Sequence, residues 1–435
     1  MSGPVHQLRR RLAKLLLPLV ALSLALTPAS TALGGHIIPA IGVHPHYVYA
    51  GRAMSVPAAA TFTCQQPAAA VHCYGPDQIR AAYAVQAALD RGIAGWGRTI
   101  VIIDAFQSPT IRQDLQTFDT AFGIPPAVLN IVAPDGLTPF DPNNTTMVGW
   151  SGEISLDVEW AHAVAPAAMI TLVLARSDQD ADILSATRYA VRQRLGDVVS
   201  QSFGEGEACM SPALMTRQHQ VFAEAVAQGM TLFASSGDSG AGQPDCNGDG
   251  RLFKSVSTPA SDPLVGGVGG TNLNANLLTG AYRSERAWGD GFGESGGGYS
   301  AVYARPSWQD GLRGSGKMRG VPDLAYDAGV DGGVLTAWGG NGSFYIFGGT
   351  SAGSPQWAGI TALADQAAAR RLGTLNPSLY QLARSGAYGR ALHDVTSGNN
   401  VEPGIGGYSA GPGWDPVTGL GSPNASALLT WLAAA

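Results

Sequence analysis

The residues best suited to catalysis begin with Ser351, in the stretch Gly-Gly-Thr-Ser-Ala-Gly-Ser-Pro at positions 348–355. A strand-like run, 343–347, leads into this stretch and a helical apolar pattern follows it, so Ser351 is predicted at a helix start. The unpaired N–H groups and the helix dipole there favour the negative charge of a reacting acyl group. Ser351 is thus a candidate nucleophile. Serine is also a preferred helix cap, and this stretch alone does not separate the two roles.

A nucleophilic serine needs a base, and histidine offers no obvious one. A subtilisin-type peptidase would place His-Gly near a helix start, yet none of the eight histidines in this chain is followed by Gly. Glu153 and Asp157 instead lie four residues apart in a helical pattern, 153–164, which puts both carboxyls on one helix face. Taken alone, such a pair is more typical of an ordinary helix, because the dipole favours acids in its first turns.

Strand-like and helical patterns alternate through the chain and predict how these residues are positioned. The predicted strands are 99–103, 128–132, 170–174, 198–202 and 231–234, and the predicted helices are 79–89, 110–122, 153–164, 181–195, 213–230 and 425–432. Apolar strands alternating with helices indicate a parallel sheet covered on both faces, which binds ligands at the carboxyl ends of its strands. Asp104, Ser202 and Asp238 all follow such strands. We therefore expect the site at that edge.

The combination of these residues closely resembles the sedolisin, or serine-carboxyl peptidase, family. The resemblance extends in chain order from about residue 74 to 423, and includes Asp238 in Ser-Ser-Gly-Asp-Ser-Gly. It implies an α/β, three-layer subtilisin-like fold with a mainly parallel central sheet. Ser351 would be the nucleophile and Glu153 the general base. Asp157 would orient Glu153 and share a proton with it, and Asp238 would donate in the oxyanion hole. Asp104 matches a position where members often carry a further carboxylate.

Carboxyl groups in these roles predict activity in acid. A carboxylate base with an ordinary pKa of about 4.3 is ionised in moderately acid water, where histidine would be protonated. Asp238 donates to an oxyanion only when protonated, which also requires acid or a raised pKa. One departure from the family concerns substrate binding. Ser202-Phe203-Gly204-Glu205 replaces the usual Ser-Trp-Gly-Gly, which changes the subsite but leaves backbone pairing possible.

The resemblance also implies one structural calcium ion near the C-terminus. The side chains of Asp394 and Asp415 and the carbonyls of Val395, Gly411 and Gly413 match the family's calcium loop, and hard cations take such oxygen ligands. A second stretch, 245–250, imitates the start of an EF-hand. It is predicted to be a surface loop, because Val256 stands where the bidentate Glu belongs. The glycine-rich stretch 295–299 is a further candidate for substrate binding.

The first 73 residues carry none of these motifs. Residues 1–32 are predicted to be a signal peptide, with four basic residues before an apolar run and small residues before a cut after Ala32. Residues 33–73 are rich in Ala, Pro and Gly and predict a short lead-in, too short for the folded prosegment that family members commonly have. We expect residues 74–435 to form the catalytic domain, including the calcium loop, and to be active without removal of a large N-terminal piece.

Composition limits the partners. Removing the predicted signal takes the formal net charge from −6 to −10, which argues against nucleic acid or an anionic membrane as a partner. No other stretch is apolar enough to span a bilayer. The four cysteines fall as two local pairs, Cys64 with Cys73 and Cys209 with Cys246, which suits disulfides in an exported protein. Four cysteines allow three disulfide connectivities. Zinc binding by the cysteines is the alternative to disulfides, although the sequence has no Cys-x-x-Cys motif.

The sequence therefore predicts a secreted, extracellular, monomeric serine-type endopeptidase that hydrolyses protein or peptide substrates at acid pH. The alternative from another class is a catalytically inactive, calcium-stabilised binding protein of the same fold. A neutral peptidase that uses histidine is disfavoured, because the His-Gly pattern is missing. Endopeptidase and tripeptidyl action are not separated by the sequence.

Overall fold

The computed structural model describes residues 42–53, 61–311 and 316–434. The predicted signal peptide lies outside these residues. The helices are α1 Pro76–Ala82, α2 Gln86–Leu89, α3 Ile111–Phe122, α4 Thr145–Val164, α5 Asp180–Arg192, α6 Pro212–Ala227, α7 Gly353–Ala367, α8 Asn376–Ala383, α9 Tyr388–Ala391 and α10 Ala425–Ala434. Short 3₁₀ turns cover Thr63–Gln65, Ser307–Gln309 and Thr350–Ala352. Among the described helices, none is long and apolar enough to cross a membrane.

The strands fall into a large central sheet and several small ones. They are β1 His44–Pro45, β2 Val48–Ala53, β3 Cys73–Tyr74, β4 Thr99–Ala105, β5 Leu129–Val132, β6 Met169–Ala175, β7 Val198–Gln201, β8 Phe203–Gly206, β9 Thr231–Ser235, β10 Gly242–Pro244, β11 Leu252–Lys254, β12 Ser257–Thr258, β13 Gly266–Ala275, β14 Tyr282–Ala287, β15 Gly298–Ala304, β16 Met318–Val321, β17 Leu324–Asp327, β18 Gly333–Ala337, β19 Phe344–Gly348, β20 Leu392–His393 and β21 Ser422–Pro423.

The central sheet confirms the predicted α/β fold. Its strands run in the order β14-β13-β9-β7-β4-β6-β5, with β17 also paired to β13. Each pair is parallel except β13 with β14. Because β4, β7 and β9 are neighbouring parallel strands, their carboxyl ends meet at one edge. That edge carries the candidate site.

Side-chain alternation along β4 explains why helices cover both faces. Ile100 and Ile102 lie in one core cluster, with residues of α4 and α7, whereas Val101 and Ile103 lie in a second cluster, with residues of α5 and α6. Successive residues of a strand point to opposite faces, so a continuous β-branched run supplies both layers. The result is the three-layer arrangement that the resemblance implies.

Two predicted helices differ from the structure. The pattern at 79–89 forms two short helices, α1 and α2, because Ala84 takes a left-handed conformation with φ of 56°. Helix α4 begins at Thr145 instead of residue 153, since the side chain of Asn144 caps it by accepting a hydrogen bond from the Met147 N–H. Glu153 is therefore in the middle of the helix, and the dipole of the first turn does not explain its presence.

Part of the predicted lead-in forms strands that pair with strands from the rest of the described chain. Strand β1 pairs with β8, and β2 pairs antiparallel with β19, the strand that leads to Ser351. Strand β3, which ends the lead-in, pairs with β18. The two predicted disulfides, Cys64–Cys73 and Cys209–Cys246, are present, and both confirm the local pairing.

Candidate active site

The four residues predicted to be catalytic come together at the carboxyl edge of the sheet. Helix α4 carries Glu153 and Asp157 on its buried length, Asp238 follows β9, and Ser351 lies in the turn Thr350–Ala352 that opens α7. Ser351, Glu153 and Asp157 are completely buried. Residues far apart in sequence thus meet where a parallel sheet of this kind binds ligands.

Ser351 is hydrogen-bonded to a carboxyl. Its Oγ donates to Glu153 Oε2 at 3.0 Å and also lies 3.0 Å from the carbonyl oxygen of Ser202, just after β7. A nucleophile and its base need this hydrogen-bond reach for proton transfer. The geometry allows Glu153 to take the hydroxyl proton as Ser351 Oγ attacks a carbonyl carbon.

Glu153 belongs to a group of three buried carboxyls with Asp157 and Asp104. Burial, followed by the charges of Asp157 and Asp104, raises the pKa of Glu153 well above its usual range. Burial likewise raises the pKa of Asp157 to about 7 and, with the charge of Asp157, raises that of Asp104. The ordinary pKa that the sequence predicts for Glu153 is therefore wrong, because burial is a property of the folded chain.

A shared proton reconciles the raised pKa values with the need for a base. Within the described residues, Glu153 Oε1 and both carboxyl oxygens of Asp157 are buried without a hydrogen-bond partner, and a proton shared between the two carboxyls would supply one. When Asp157 holds that proton, Glu153 is an ionised acceptor that faces Ser351. Carboxyls coupled in this way titrate as a group, and the singly ionised group is the form able to act as a base.

Asp238 is hydrogen-bonded to Thr350, the residue before Ser351, through one of its two carboxyl oxygens. Its Oδ1 accepts hydrogen bonds from the backbone N–H and the hydroxyl of Thr350, both at 2.8 Å. Its Oδ2 is buried and has no hydrogen-bond partner within the described ranges. Burial raises the pKa of Asp238 to about 8, so Oδ2 carries a proton to donate below that pH.

Gly349 makes the space between Asp238 and the backbone of the turn. It has φ of 98°, and a Cβ there would stand 2.5 Å from Asp238 Oδ2 and 2.5 Å from the carbonyl oxygen of His46. Only glycine tolerates both the conformation and the close approach. Thr350 and Gly349 stand in the motif beside Ser351, but their contacts with Asp238 were not predicted, since they depend on a neighbour more than 100 residues away.

The residues of the predicted calcium loop also come together. Asp394 Oδ2 accepts from the Gly413 N–H at 2.9 Å, and Asp415 Oδ2 accepts from the Gly411 N–H at 3.0 Å. The carbonyl of Val395 accepts from the hydroxyl of Thr418, a residue that also donates to Asp415. Two carboxylates with carbonyls of the same loops give the all-oxygen donor chemistry that suits calcium. In the described residues, no three acidic, His or Cys side chains are placed so that they could hold a metal ion together, so carbonyls would have to complete the ligand set.

The stretches 295–299 and 245–250, which the sequence analysis singled out, both form hydrogen-bonded loops. The glycine-rich stretch at 295–299 supports the loop of Asp238, because Gly296 N–H donates to the Gly237 carbonyl at 2.7 Å and the Ser236 hydroxyl donates to the Gly296 carbonyl. The stretch 245–250 forms a surface turn, in which Asp249 pairs with Arg251.

The fold and the site together define a class of protein. An α/β fold whose serine opens a helix and bonds to a buried carboxyl, in the place of a histidine base, is that of a serine-carboxyl peptidase. Comparison with known proteins agrees with this class, although no protein-family model matches the chain. Over 380 residues the chain is 35% identical to kumamolisin from Bacillus sp. (strain MN-32), a match that covers 83% of the chain and 64% of kumamolisin.

Two further comparisons concern sedolisin from Pseudomonas. The chain is 35% identical to the Pseudomonas sp. (strain 101) protein over 323 residues, which cover 71% of the chain and 53% of sedolisin. The solved structure of Pseudomonas sedolisin, a serine-carboxyl proteinase complexed with two molecules of pseudo-iodotyrostatin, superposes with a TM-score of 0.75 at 30% identity. That match covers 84% of the chain and 99% of the solved chain. The protein belongs to the sedolisin family. It spans about half to two thirds of the length of the curated relatives it matches.

Proposed function

We propose that this protein is an exported, acid-acting serine-type endopeptidase that hydrolyses protein or peptide bonds through an acyl-enzyme. The observation that carries the proposal is the hydrogen bond of 3.0 Å from Ser351 Oγ to Glu153 Oε2. Membership of the sedolisin family and two disulfides support the activity and the export, respectively.

The proposed reaction uses these groups in sequence. Ser351 Oγ attacks the substrate carbonyl carbon while its proton passes to Glu153, which Asp157 orients by sharing a proton. The oxyanion then accepts hydrogen bonds from the Ser351 N–H and from protonated Asp238. Glu153 returns the proton to the leaving amine, and a water molecule repeats the same steps to release the acid.

The two limbs of the pH profile follow from two protonation states. The cluster of three carboxyls formed by Glu153, Asp157 and Asp104 must lose one proton to supply a base. Asp238 must keep its proton to donate a hydrogen bond. Because burial raises the pKa of Asp238 to about 8, its donor is present below that pH and is lost above it. Asp238 therefore sets the alkaline limit of activity, near pH 8. The acid action that we propose rests on the resemblance to serine-carboxyl peptidases, since the raised pKa values of the carboxyls move the acid limb upwards.

A structural calcium ion forms part of this proposal. Asp394 and Asp415 would bind it through their side chains, and Val395, Gly411 and Gly413 through their carbonyls. Bound there, the ion would fix the loops that precede α10 and would take no part in the reaction. We further propose that the protein acts as a monomer on protein or peptide substrates, without nucleic acid or membrane as a partner.

The test is cleavage of a denatured protein by wild type and by Ser351→Ala, from about pH 4 to neutral pH. The proposal predicts acid-favoured cleavage by wild type and none by the variant. Equal cleavage by both would assign the activity to another group. If wild type binds the denatured protein but does not cleave it at any pH, the result would favour the alternative function, an inactive binding protein of the same fold.

A further inference from the structure

The strand that follows Ser202 carries an acidic residue that the proposed reaction does not use. This strand, β8, begins directly after Ser202, whose carbonyl oxygen lies 3.0 Å from Ser351 Oγ. Its third residue is Glu205, which stands where members of the family usually have glycine. Extended peptides commonly bind by main-chain pairing with such a strand. Glu205 is therefore placed to contact a substrate, and it is a departure of this chain.

Strand β1 shows the register that an extended segment takes on β8. The two strands are antiparallel, with Pro45 opposite Phe203. The next residue, His46, donates its N–H to the Ser202 carbonyl at 3.1 Å. Antiparallel strands advance one residue at a time in opposite directions. The residue three positions before His46 therefore lies opposite Glu205.

The same segment relates this register to the nucleophile. The carbonyl of His46 accepts a hydrogen bond at 2.8 Å from the Ser351 N–H, which is the backbone donor that we propose for the oxyanion. A substrate that pairs with β8 in place of β1 would thus present its reacting carbonyl at the position of His46. Its fourth residue before the scissile bond would lie at the position of Val43, opposite Glu205.

The surroundings of that fourth residue are partly apolar. Val43, Phe203 and Ile183 belong to one apolar cluster, and Ile183 lies in the first turn of α5. Glu205 points to the same face of β8 as Phe203, because alternate residues of a strand share a face. Cross-strand neighbours have Cβ atoms about 5 Å apart. The Glu205 carboxyl is therefore within reach of a long side chain at the position of Val43.

Glu205 lies beside a second carboxyl, that of Asp180, the first residue of α5. Glu205 is 2% exposed, and Glu205 Oε1 and Asp180 Oδ1 are buried without a hydrogen-bond partner in the described part of the chain. Burial, followed by the charge of Asp180, raises the pKa of Glu205 to about 9. Negative charge at this place is thus costly until an opposite charge arrives.

The neighbouring charges are also acidic. Burial, together with the charges of Asp182 and Asp180, raises the pKa of Asp178, whose backbone carbonyl accepts from the Val43 N–H at 3.0 Å. Within the described ranges, no Lys, Arg or His side chain lies within ion-pair distance of these three carboxyls or of Glu205. The opposite charge would therefore have to come from a ligand.

We propose that Glu205 and Asp180 form a subsite for a cationic side chain, Lys or Arg, at the fourth residue before the scissile bond. The aliphatic stem of such a side chain would pack on Phe203, and its charged end would bind the two carboxyls. The proposal rests on the proposed peptidase function and names its preferred substrates. Because the subsite requires four residues before the bond, it favours endopeptidase action over removal of tripeptides.

The experiment compares peptides that differ at that residue alone. Acetylated peptides with Lys, Leu or Glu as the fourth residue before one fixed bond are hydrolysed by wild type at about pH 6. Mass spectrometry confirms the bond that is cut, and kcat/KM is measured for each peptide. Lys should be preferred to Leu by about tenfold, because it adds charge-assisted hydrogen bonds, and Glu should be the poorest. Equal values for Lys and Leu would overturn the proposal.

Two variants assign the preference to its residues. Glu205→Gln and Asp180→Asn remove the charge at nearly constant size, and each should bring the ratio of kcat/KM for Lys over Leu towards one. This ratio is measured within one protein, so it does not depend on how much of a variant folds. Glu224→Gln is the matched control, since Glu224 is an exposed acid on α6 that pairs with Arg192, and it should keep the wild-type ratio. A wild-type ratio in both test variants would contradict the subsite.

A free amino group is the other cation that could bind these carboxyls. Peptides with only three residues before the bond are therefore compared with and without acetylation of the N-terminus. If the free amine is preferred, Glu205→Gln abolishes that preference, and Lys brings no gain in the longer peptides, then the carboxyls bind a peptide N-terminus and the proposal is wrong.

Dependence on Ser351 separates this proposal from the function on which it rests. Hydrolysis that Ser351→Ala abolishes, without a preference for Lys, would leave the peptidase standing and remove the subsite. If wild type and Ser351→Ala hydrolyse none of the peptides, the proposed function fails and the subsite fails with it.

Discussion

At the scale of single residues, the site depends on carboxyl groups whose pKa values burial raises. Asp238 is the clearest case, because Thr350 donates to one of its oxygens and the other has no hydrogen-bond partner in the described part of the chain. An aspartate acts as a donor there only while it holds a proton. The same residue thus links the geometry of the site to the pH at which the enzyme is expected to work.

Replacing Asp238 with Asn tests whether the hydrogen-bond donor at this position depends on a titrating proton. An amide donates at every pH, so the alkaline limb of kcat/KM for Asp238→Asn should move above the wild-type limb near pH 8, even if the maximal rate falls. Asp135→Asn, at an exposed position, is the matched control and should keep the wild-type limb. The measurement is the pH profile on one peptide. Identical alkaline limbs would assign the loss of activity to a different group.

Residue types and spacing predicted this site in part. Ser351, Glu153, Asp157 and Asp238 could be selected because each stands in a short motif, and the structure brings them together. The raised pKa values could not be predicted, since they result from burial and from the mutual approach of carboxyls. The contacts of Gly349 and Thr350 with Asp238 join distant parts of the chain and leave no local pattern.

At the scale of elements, the alternation of strands and helices was predictable because each pattern is local. The roles of β1 and β2 were not. Their partners, β8 and β19, lie more than 150 residues further along the chain, and β1 is only two residues long. Nothing in an Ala- and Pro-rich segment indicates such pairing. The part of the chain with the weakest pattern thus pairs with the strands on either side of the candidate site, β8 after Ser202 and β19 before Ser351.

A second prediction concerns the loops around Asp394 and Asp415 and their stabilisation by calcium. If these loops bind calcium in the folded state only, an excess of chelator should lower Tm by roughly 4 °C, the shift expected for an ion present at 100 times its Kd. The double variant Asp394→Asn/Asp415→Asn should show a Tm that calcium does not change. An unchanged Tm for wild type in chelator, with no metal in the purified protein, would remove calcium from the account.

At the scale of the whole molecule, the buried carboxyls make stability depend on pH. Asp104, Glu153, Asp157 and Asp238 have pKa values raised by burial, so the folded state binds more protons than the unfolded state above about pH 4. Unfolding then releases protons, and the free energy of unfolding must fall as pH rises towards 8. A catalytic site of this kind is tolerated because the surrounding core is large.

We therefore expect a higher urea midpoint at pH 5 than at pH 8, with calcium in excess at both. Asp238→Asn should reduce this difference, because an amide has no proton to lose, and should be more stable than wild type at pH 8. Asp135→Asn should leave the difference unchanged. A midpoint that rises from pH 5 to pH 8 would show that these carboxyls are ionised in the folded protein.

The central claim is that Ser351 and Glu153 act as one nucleophile-and-base unit, and a double-mutant comparison tests it most directly. The measurement is kcat/KM at acid pH for wild type, Ser351→Ala, Glu153→Ala and the double variant on one peptide. Each single change should lower the rate by about 10³-fold or more, and the double variant should be little worse than either, because neither group functions without the other. Losses that multiply in the double variant would contradict the account.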